Sequence, residues 1–343
     1  MESLIKIINC YFVRILPTGI AKILFRFTPQ NLAWIIHLRD MDDIERKIPI
    51  LKKLPFFIKK LLTTLIPPYK VSEFSENNSL IGYIIVIPLL PAVFKKNKWL
   101  SRLRTNQAFR LAKKMGAVRV SVGGMLSKIV ETENLGEKYG VSIFDGTELL
   151  AVAATEKVLK FINENQTGIK SIGIIGATTK SGKKLSQNLA SKFNGDIHLY
   201  AKTEKNVQLL SEECKKLGVG NIYSHVNFES LGDCDLCVLT SFIYDQSSNL
   251  LVKNIKKDSV LLSIIEPVSP FVFDLQRMRP DIKVVRGIKI ETPTLSYDDI
   301  DFVINKGSAY ACLTEALLDN NRNNNELNAD LQSLLKNNNY KIA

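Results

Sequence analysis

Apolar residues recur at helical spacing on a basic background in the first seventy positions. In residues 1–28 one helical face collects five of them: Leu4, Ile8, Tyr11, Phe12 and Ile15. In residues 48–70 the apolar side chains face away from the lysines: Leu51, Leu54, Phe57, Ile58, Leu61 and Leu65 against Lys52, Lys53, Lys59 and Lys60. Such helices either cover a protein core with their lysines solvated, or contact a membrane surface or an acyl chain. The pattern leaves both interpretations open.

Strand-like segments follow these helices. Residues 79–90, SLIGYIIVIPLL, are rich in β-branched residues and predict a strand that ends at Pro88. A basic helix over residues 95–117 comes next, and a second strand, VRVSV, leads to Gly123 and Gly124. Because strands alternate with helices, the sequence predicts an α/β fold.

From Gly168 the alternation becomes regular. Residues 170–193 give a strand, a glycine turn and a helix, and further apolar strands are DIHLYA, DLCVLTS, SVLLSII and KVVRG. Continuous apolar strands joined by helices predict a parallel, Rossmann-type sheet that is covered on both faces. We therefore expect a basic segment (1–30), an N-terminal α/β domain (31–160), a Rossmann-type domain (161–306), and C-terminal helices with an Asn-rich tail (307–343) that pack back on the N-terminal domain.

Positive charge is confined to the first part of the chain. The net charge is +12; residues 1–140 hold 23 Lys+Arg against 10 Asp+Glu, whereas residues 141–343 hold 23 against 24. This asymmetry indicates an acidic partner. Nucleic acid is not expected, because no groove-reading helix, zinc finger or aromatic-rich RNA motif accompanies the charge.

Composition also bears on location and on metal sites. No uninterrupted apolar run approaches the ~18 residues that span a bilayer, so we expect a cytoplasmic protein, with peripheral membrane contact as an addition. Five irregularly spaced cysteines suit a reducing compartment without disulfides. The three histidines lack metal-binding spacing, and Cys234 and Cys237 form an isolated CxxC that we interpret as buried strand residues. No metal is expected.

The turn after the apolar strand at 172–175 has the chemistry of a dinucleotide site. Such a site needs a tight first turn, a backbone close to the pyrophosphate and free N–H groups at a helix N-terminus. The candidate cofactor-binding residues are Gly176, Ala177, Thr178, Thr179, Lys180, Ser181 and Gly182, with Thr240 and Ser241 at the end of DLCVLTS. Thr179 stands where the usual fingerprint has a glycine. An ordinary strand-to-helix turn is the alternative.

The residues after the second strand of this domain favour NADPH over NADH. Lys202, Thr203 and Lys205 stand where an NAD enzyme usually offers Asp or Glu to the ribose hydroxyls. A cation at that position attracts a 2′-phosphate. Two solvated lysines in a lysine-rich chain are the alternative.

Cys312 is a candidate nucleophile. Gly307 and Ser308 favour the start of a helix, which places the sulfur near the positive end of the helix dipole. That position stabilises a thiolate and lowers the pKa of the thiol. A small, buried core residue is the alternative.

Several segments together resemble the aldehyde-forming long-chain fatty acyl-(acyl carrier protein) reductases and their shikimate-dehydrogenase-like relatives. The segments run in family order from about Asn31 to Leu318: LAWIIHLRDMDDIERKIPILKKLP, GYIIVIPLLP, KKMGAVRVSVGG, IGIIGAT, KIETPT and NKGSAYACLTEALL. The resemblance places the family's nucleophilic cysteine on Cys312. It also matches a family histidine to His37, which we hold as a candidate proton donor, with a structural strand-end role as the alternative.

The resemblance implies an NADPH-dependent reduction of a long-chain acyl thioester to a fatty aldehyde through an acyl-enzyme on Cys312. The domain at 31–160 would then hold the acyl chain, and the basic residues 95–114 would attract an acidic acyl carrier protein, with acyl-CoA as the other donor. The sequence departs from the family at Phe144, Thr147, Thr179, Ser263 and Glu266. These departures motivate two alternatives: an NADP-dependent dehydrogenase of another carbonyl substrate, and a non-catalytic relative.

Overall fold

The computed structural model describes residues 30–164, 168–218, 220–241, 243, 246–265, 270–298, 306–321 and 330–342. The expectations for residues 1–29, which include Cys10, and for Glu266 lie outside the described residues.

The strands, in chain order, are short and mostly buried. They are β1 Leu32–His37, β2 Tyr69–Glu76, β3 Ser79–Ile87, β4 Arg119–Val122, β5 Ser142–Phe144, β6 Ser171–Ile175, β7 Asp196–Tyr200, β8 Asn221–His225, β9 Leu236–Leu239, β10 Val260–Ser263, β11 Lys283–Arg286, β12 Ile290–Glu291, β13 Leu295–Tyr297, β14 Ser308–Ala309 and β15 Lys341–Ile342.

The helices alternate with these strands. They are α1 Met41–Lys47, α2 Phe56–Leu65, α3 Pro91–Lys96, α4 Lys98–Lys114, α5 Leu126–Thr132, α6 Leu135–Tyr139, α7 Thr147–Glu164, α8 Lys180–Ala190, α9 Glu204–Leu217, α10 Gln246–Asn254, α11 Pro270–Met278, α12 Ala311–Asn320 and α13 Leu331–Asn337, with 3-10 turns at Pro49–Lys53 and Glu229–Asp233. The α/β prediction is confirmed.

The chain divides into two units. Unit 1 comprises residues 1–146 and 290–341, and unit 2 comprises residues 147–289 and 342–343. The sequence predicts the first boundary at residue 160 and the second at residue 306, so both differ from the observed ones. The difference at the first boundary arises because α7 packs against α8 and contributes Ala153, Ala154 and Val158 to the core of unit 2.

Unit 2 contains the parallel sheet of the Rossmann-type prediction. Its strand order is β11-β10-β9-β6-β7-β8, and every neighbouring pair is parallel. After β6 the chain adds β7 and β8 on one side of that strand. It then crosses over to form β9, which pairs with β6 on the other side. β6 and β9 are therefore the point where the strand order reverses, and ligands of open α/β sheets bind beyond the carboxyl ends of such strands.

Unit 1 is built on a mixed sheet of order β13-β2-β3-β1-β4-β5. The strands β3, β1, β4 and β5 run parallel, while β2 and β13 are antiparallel to their neighbours. The central strand β1 is almost wholly buried, as its apolar sequence LAWIIH predicts. α12 packs on β4 and β5, which confirms that C-terminal helical sequence returns to the first domain.

The described part of the Asn-rich tail contributes buried residues to the protein. Leu334, Leu335 and Tyr340 are buried. The buried carboxylate of Glu76, the last residue of β2, accepts hydrogen bonds from Tyr340 Oη and from Asn321 Nδ2, the latter at 2.9 Å. A buried carboxylate requires such donors, because an unpaired charge in the interior is strongly unfavourable. The tail therefore completes the polar environment of Glu76.

The amphipathic helix α2 turns its apolar side outward. Phe57, Leu61 and Leu65 are exposed, whereas Thr63 is buried. The interpretation of this segment as an ordinary core helix is therefore wrong for α2. Among the described residues, no helix combines the length and the apolarity needed to cross a bilayer.

Candidate functional site

The glycine turn of unit 2 has the geometry that its sequence predicts. Gly176 follows β6 with a φ of +85°, and a Cβ on it would lie 2.4 Å from Ser241 Oγ. A Cβ on Gly182 would lie 2.4 Å from the carbonyl oxygen of Gly176. Only glycine fits at either position without a shift of the surrounding atoms. The two glycines bring the backbone of β6 and the first turn of α8 together at the point where the strand order reverses.

Thr179 takes the place of the middle glycine and caps α8. Its Oγ1 accepts a hydrogen bond from the Gly182 N–H at 3.1 Å and donates to the Gly176 carbonyl at 2.9 Å. Thr240, after β9, donates its hydroxyl to the same carbonyl at 2.8 Å and lies 3.2 Å from Thr179 Oγ1. The threonine side chain is therefore tied to the turn itself, as an N-cap residue usually is.

The structure brings part of the predicted cofactor set together. Gly176, Thr179, Gly182, Thr240 and Ser241 form one cluster. The N–H of Ala177 donates to the Tyr200 carbonyl at 3.0 Å, and Lys180 and Ser181 are the first residues of α8, while Thr178 is exposed. This turn shares two features with a dinucleotide site: a tight glycine turn directly after a buried strand, and the N-terminus of a helix behind it.

The predicted 2′-phosphate residues lie after the next strand. Lys202 and Thr203 follow β7, Thr203 is the N-cap of α9, and Lys205 is in its first turn. All three are exposed. Since β7 neighbours β6 in the sheet, these residues occupy the position along the sheet that the ribose of a dinucleotide takes in this fold.

In unit 1, Cys312 is the second residue of α12. The helix begins at Ala311, later than the predicted start, because Ser308 and Ala309 form β14 and Tyr310 is the N-cap. Cys312 is buried, with 8% of its surface exposed. Burial, with a smaller contribution from the carboxylate of Glu315, raises the pKa of its thiol to about 11. The expected low pKa is therefore wrong: the loss of solvation outweighs the helix dipole.

Two buried hydrogen-bond donors act on this sulfur. Trp34 on β1 and Ser121 on β4 are partners in register, so their side chains lie on the same face of the sheet. Within the part of the chain that the structure describes, Trp34 Nε1 and Ser121 Oγ make no hydrogen bond of regular geometry. Both groups, and the N–H of Leu313, are near enough to the sulfur to lower the pKa of the Cys312 thiol. The sulfur thus has three donors that a developing negative charge can use.

Space lies open beside the sulfur on one side. Apart from its chain neighbours, a Cβ built on Gly123 would meet a single heavy atom within 4 Å, the Cys312 Sγ at 4.0 Å. On the other side the backbone is closely packed. Gly146 has a φ of +75°, and a Cβ on it would lie 2.4 Å from the Cys312 nitrogen. The Gly146 N–H also donates to Glu315 Oε2 at 3.0 Å, which supports the structural role expected for that carboxylate.

His37 is in the wrong protonation state for the role of proton donor that the resemblance suggests. It is the last residue of β1, and its Nδ1–H donates to the Leu38 carbonyl at 2.7 Å. Burial lowers the pKa of the imidazole. At neutral pH the ring is therefore uncharged and Nε2 carries a lone pair, so His37 can accept a proton but has none to donate from Nε2.

The two cysteines of the CxxC segment are core residues of unit 2. Cys234 and Cys237 are fully buried; Cys237 lies in β9 as predicted, while Cys234 precedes the strand. Cys234 Sγ lies 3.6 Å from Tyr200 Oη, and a Cβ on Gly173 would lie 2.9 Å from the same sulfur. Both cysteines belong to a buried apolar cluster that includes residues of β6, β7 and β9.

Comparison with known proteins yields partial structural likeness. No protein-family model matches the chain, and no curated protein sequence matches it. Among solved structures, lactate dehydrogenase from Eimeria maxima with NADH and oxamate matches with a TM-score of 0.29 and 14% identity, over 35% of this chain and 44% of that one. This chain therefore spans less than half the length of that enzyme.

Two further structures match over longer stretches. Ligand-free 5-ketofructose reductase of Gluconobacter sp. has a TM-score of 0.38 and 12% identity, over 75% of this chain and 87% of that one. D-mandelate dehydrogenase from Rhodotorula graminis has a TM-score of 0.33 and 8% identity, over 53% and 67%.

The chemical state of the thiol can be followed by alkylation. Because the thiolate is the reactive form and the pKa is about 11, the rate at which iodoacetamide modifies Cys312 should rise about tenfold per pH unit below that value. Ser121→Ala removes a donor and should slow the reaction about tenfold at a given pH. Peptide mass spectrometry measures the modification at Cys312.

The matched control is Thr292→Val. Thr292 Oγ1 is another buried hydroxyl without a regular hydrogen bond among the described residues, and it is not among the groups that shift the Cys312 pKa. Its alkylation profile should overlay that of the wild type. A Ser121→Ala profile identical to the wild type would show that Ser121 does not act on the sulfur.

Proposed function

We propose that this protein is an NADPH-dependent oxidoreductase that reduces a long-chain acyl thioester, on an acidic acyl carrier protein or on CoA, to a fatty aldehyde. The observation that supports it most is the surroundings of Cys312: a thiol at a helix N-terminus, with two buried donors beside the sulfur and open space next to Gly123. A cysteine that only filled the core would need neither feature.

The raised pKa requires that the thiolate form only as substrate arrives. The Cys312 sulfur bonds to the acyl carbon, the bond from that carbon to the carrier's sulfur breaks, and the thiol proton ends on the carrier's thiol. Trp34 Nε1 and Ser121 Oγ–H donate to the sulfur as its charge develops. A thioester on cysteine results, with no net change in oxidation state.

Reduction then converts the acyl-enzyme to product. The turn from Gly176 to Gly182 would hold NADPH, and the chemistry that NADPH would supply is the hydride that the acyl carbon accepts. With one proton this gives a thiohemiacetal on Cys312, which breaks its carbon–sulfur bond to release the aldehyde and restore the thiol. The same three donors stabilise the departing sulfur. Serine would be a poorer leaving group at this step.

Intact-mass spectrometry tests the proposal directly. The full chain incubated with palmitoyl-CoA, or with a palmitoylated acyl carrier protein, should gain one acyl group, which peptide mapping places on Cys312. Addition of NADPH should remove the adduct and release the aldehyde. If NADPH is oxidised with a carbonyl substrate while no adduct forms, the protein is a dehydrogenase without covalent catalysis and the proposal is wrong.

Access to the sulfur can be tested at Gly123. A valine there should fill the open space beside Cys312 Sγ and lower the rate of acylation at least about tenfold. The backbone at Gly123 does not have a positive φ, so the substitution adds no backbone strain. Gly168→Val, at a position with nothing within 4 Å, is the control and should acylate at the wild-type rate. Equal rates for the two variants would place substrate elsewhere.

The preference for NADPH depends on the exposed lysines after β7. The double variant Lys202→Ala, Lys205→Ala should bind NADPH about tenfold more weakly or worse and NADH unchanged, because each lysine contributes a charge-assisted contact to the 2′-phosphate. Calorimetric titration measures both affinities. Lys216→Ala, an exposed lysine at the far end of α9, is the control. Loss of both affinities in parallel would contradict a role in cofactor choice.

A further inference from the structure

An exposed apolar surface lies on unit 1. It consists of four residues of α2 and two of α4, which we call the apolar face: Phe56 (63% exposed), Phe57 (71%), Leu61 (59%), Leu65 (63%), Trp99 (71%) and Leu103 (36%). Single exposed apolar residues are ordinary on a protein surface, but a group of six large ones indicates an interaction site.

α2 is held with its polar side toward the protein. Lys59 Nζ forms an ion pair with Glu45 Oε1 at 2.7 Å, and both side chains are largely shielded from solvent. Thr63 is buried and its Oγ1 donates to the Lys60 carbonyl at 2.8 Å. An amphipathic helix that served only the core would have the opposite orientation. The outward apolar side is therefore a built feature of this helix.

The two helices that form the apolar face are joined by a basic side chain. Arg104 on α4 donates from Nη2 to the carbonyl oxygens of Thr64 and Leu65, at 2.6 and 2.9 Å. These contacts satisfy the last carbonyls of α2 and set its C-terminal turn beside α4. Leu65 and Leu103 thus belong to neighbouring parts of one surface.

The surroundings of the apolar face are strongly basic. Between Arg46 and Val130 the chain has 17 Lys+Arg and only two acidic residues, Glu73 and Glu76. Exposed lysines stand within or next to both helices: Lys52, Lys53, Lys60, Lys95, Lys96 and Lys98. Large exposed apolar side chains with lysines close to them in the chain are the chemistry that an anionic lipid surface binds, since the apolar groups enter the acyl boundary while the lysines meet the headgroups.

We infer that the apolar face docks unit 1 on the surface of an anionic lipid bilayer, through the outward side of α2 and the start of α4. An acidic protein matches the lysines equally well. However, it would set its charged groups against six exposed Phe, Leu and Trp side chains and desolvate them without compensation. The bilayer satisfies both the charge and the apolar area. This binding is independent of the proposed reaction.

Vesicle flotation of the full chain tests the inference, and Trp99 reports on it. The sequence has two tryptophans, and of these Trp34 is buried while Trp99 lies in the apolar face. Vesicles of phosphatidylcholine mixed with phosphatidylglycerol should carry the protein upward and shield Trp99 from acrylamide, whereas vesicles of phosphatidylcholine alone should do neither. The double variant Phe57→Ser, Leu61→Ser should lower binding at least about tenfold. Each exposed lysine changed to glutamine, such as Lys60→Gln, should lower it about fivefold.

A matched control changes exposed leucines outside the apolar face. Leu209→Ser, Leu217→Ser, on α9 of unit 2, should float as the wild type does. The inference is overturned if the full chain does not bind anionic vesicles, or if Phe57→Ser, Leu61→Ser binds as the wild type, which would assign binding to residues 1–29 or another surface. It is also overturned if Trp99 becomes shielded without lipid, either at rising protein concentration or by an acidic acyl carrier protein.

Discussion

Cys312→Ser is expected to lower aldehyde formation from an acyl thioester at least about 10³-fold and to abolish the acyl adduct. The hydroxyl of serine has neither the nucleophilicity of a thiolate nor its ability to leave from the thiohemiacetal, so both halves of the proposed reaction fail. Aldehyde is measured by gas chromatography and the adduct by intact mass. The affinity for NADPH, which we propose binds at the glycine turn of unit 2, should not change.

Cys214→Ser is the matched control for this loss. Cys214 is also a buried cysteine, and burial raises the pKa of its thiol to about 11 as it does for Cys312. It lies on α9 in unit 2, and neither Trp34 nor Ser121 is among the groups that shift its pKa. Its serine variant should keep aldehyde formation within about twofold of the wild type. If Cys312→Ser retained activity at the level of Cys214→Ser, the covalent mechanism would be excluded.

Gly146→Ala is expected to destabilise unit 1 by about 3 kcal/mol. The backbone there has a φ of +75°, and the new Cβ would lie 2.4 Å from the nitrogen and 2.6 Å from the Cα of Cys312. Both contacts involve backbone, so a side-chain rotation cannot relieve them. Strain in the left-handed region and overpacking each contribute about 1–2 kcal/mol. The transition of this unit in calorimetry should fall by about 6–12 °C.

Gly140→Ala separates the two causes. Gly140 has a φ of +57°, similar to that of Gly146, but its Cβ would meet only Lys113 Nζ at 3.8 Å. This variant should lose about 1 kcal/mol, from backbone strain alone. The difference of about 2 kcal/mol between the variants measures the close approach of Gly146 to Cys312. Equal losses of stability in the two variants would mean that the backbone at residue 146 can move away from α12 at no cost in free energy.

The fold of unit 2 could be predicted well because its signals are local. The apolar run before Gly176, the two glycines of the turn and the amphipathic α8 all lie within residues 171–190. The reversal of strand order between β6 and β9 follows from the connection rules of parallel sheets. By contrast, β8, Asn221–His225, is mostly exposed and lacks the continuous apolar pattern, and the sequence analysis missed it.

The surroundings of Cys312 could be predicted only in part because they are assembled from distant segments. The position of the thiol near the start of a helix has a local signal, but the donors at Trp34 and Ser121 come from two other strands. A tryptophan within LAWIIH and a serine within VRVSV are the trace they leave: side chains with a polar atom in two mostly apolar strands. The raised pKa could not be foreseen, because burial depends on how α12 packs against β4 and β5.

The orientation of α2 shows a different limit. Its pattern of apolar and basic positions was recognised, but periodicity identifies two faces without saying which one meets the protein. The ion pair between Lys59 and Glu45 fixes which face of α2 meets the protein. Glu45 lies outside α2, so the periodicity of that helix does not reveal the contact. The sequence therefore predicted the helix and left its direction open.

The discontinuous course of unit 1 has a consequence for biosynthesis. Its first part ends at Gly146, and α12 and the tail that reaches Glu76 are translated only after all of residues 147–289. A nascent chain therefore carries β4 and β5 without their covering helix while the ribosome is still making the intervening unit. Unit 2 is positioned to fold first, and the environment of the Cys312 sulfur is completed among the last events of synthesis.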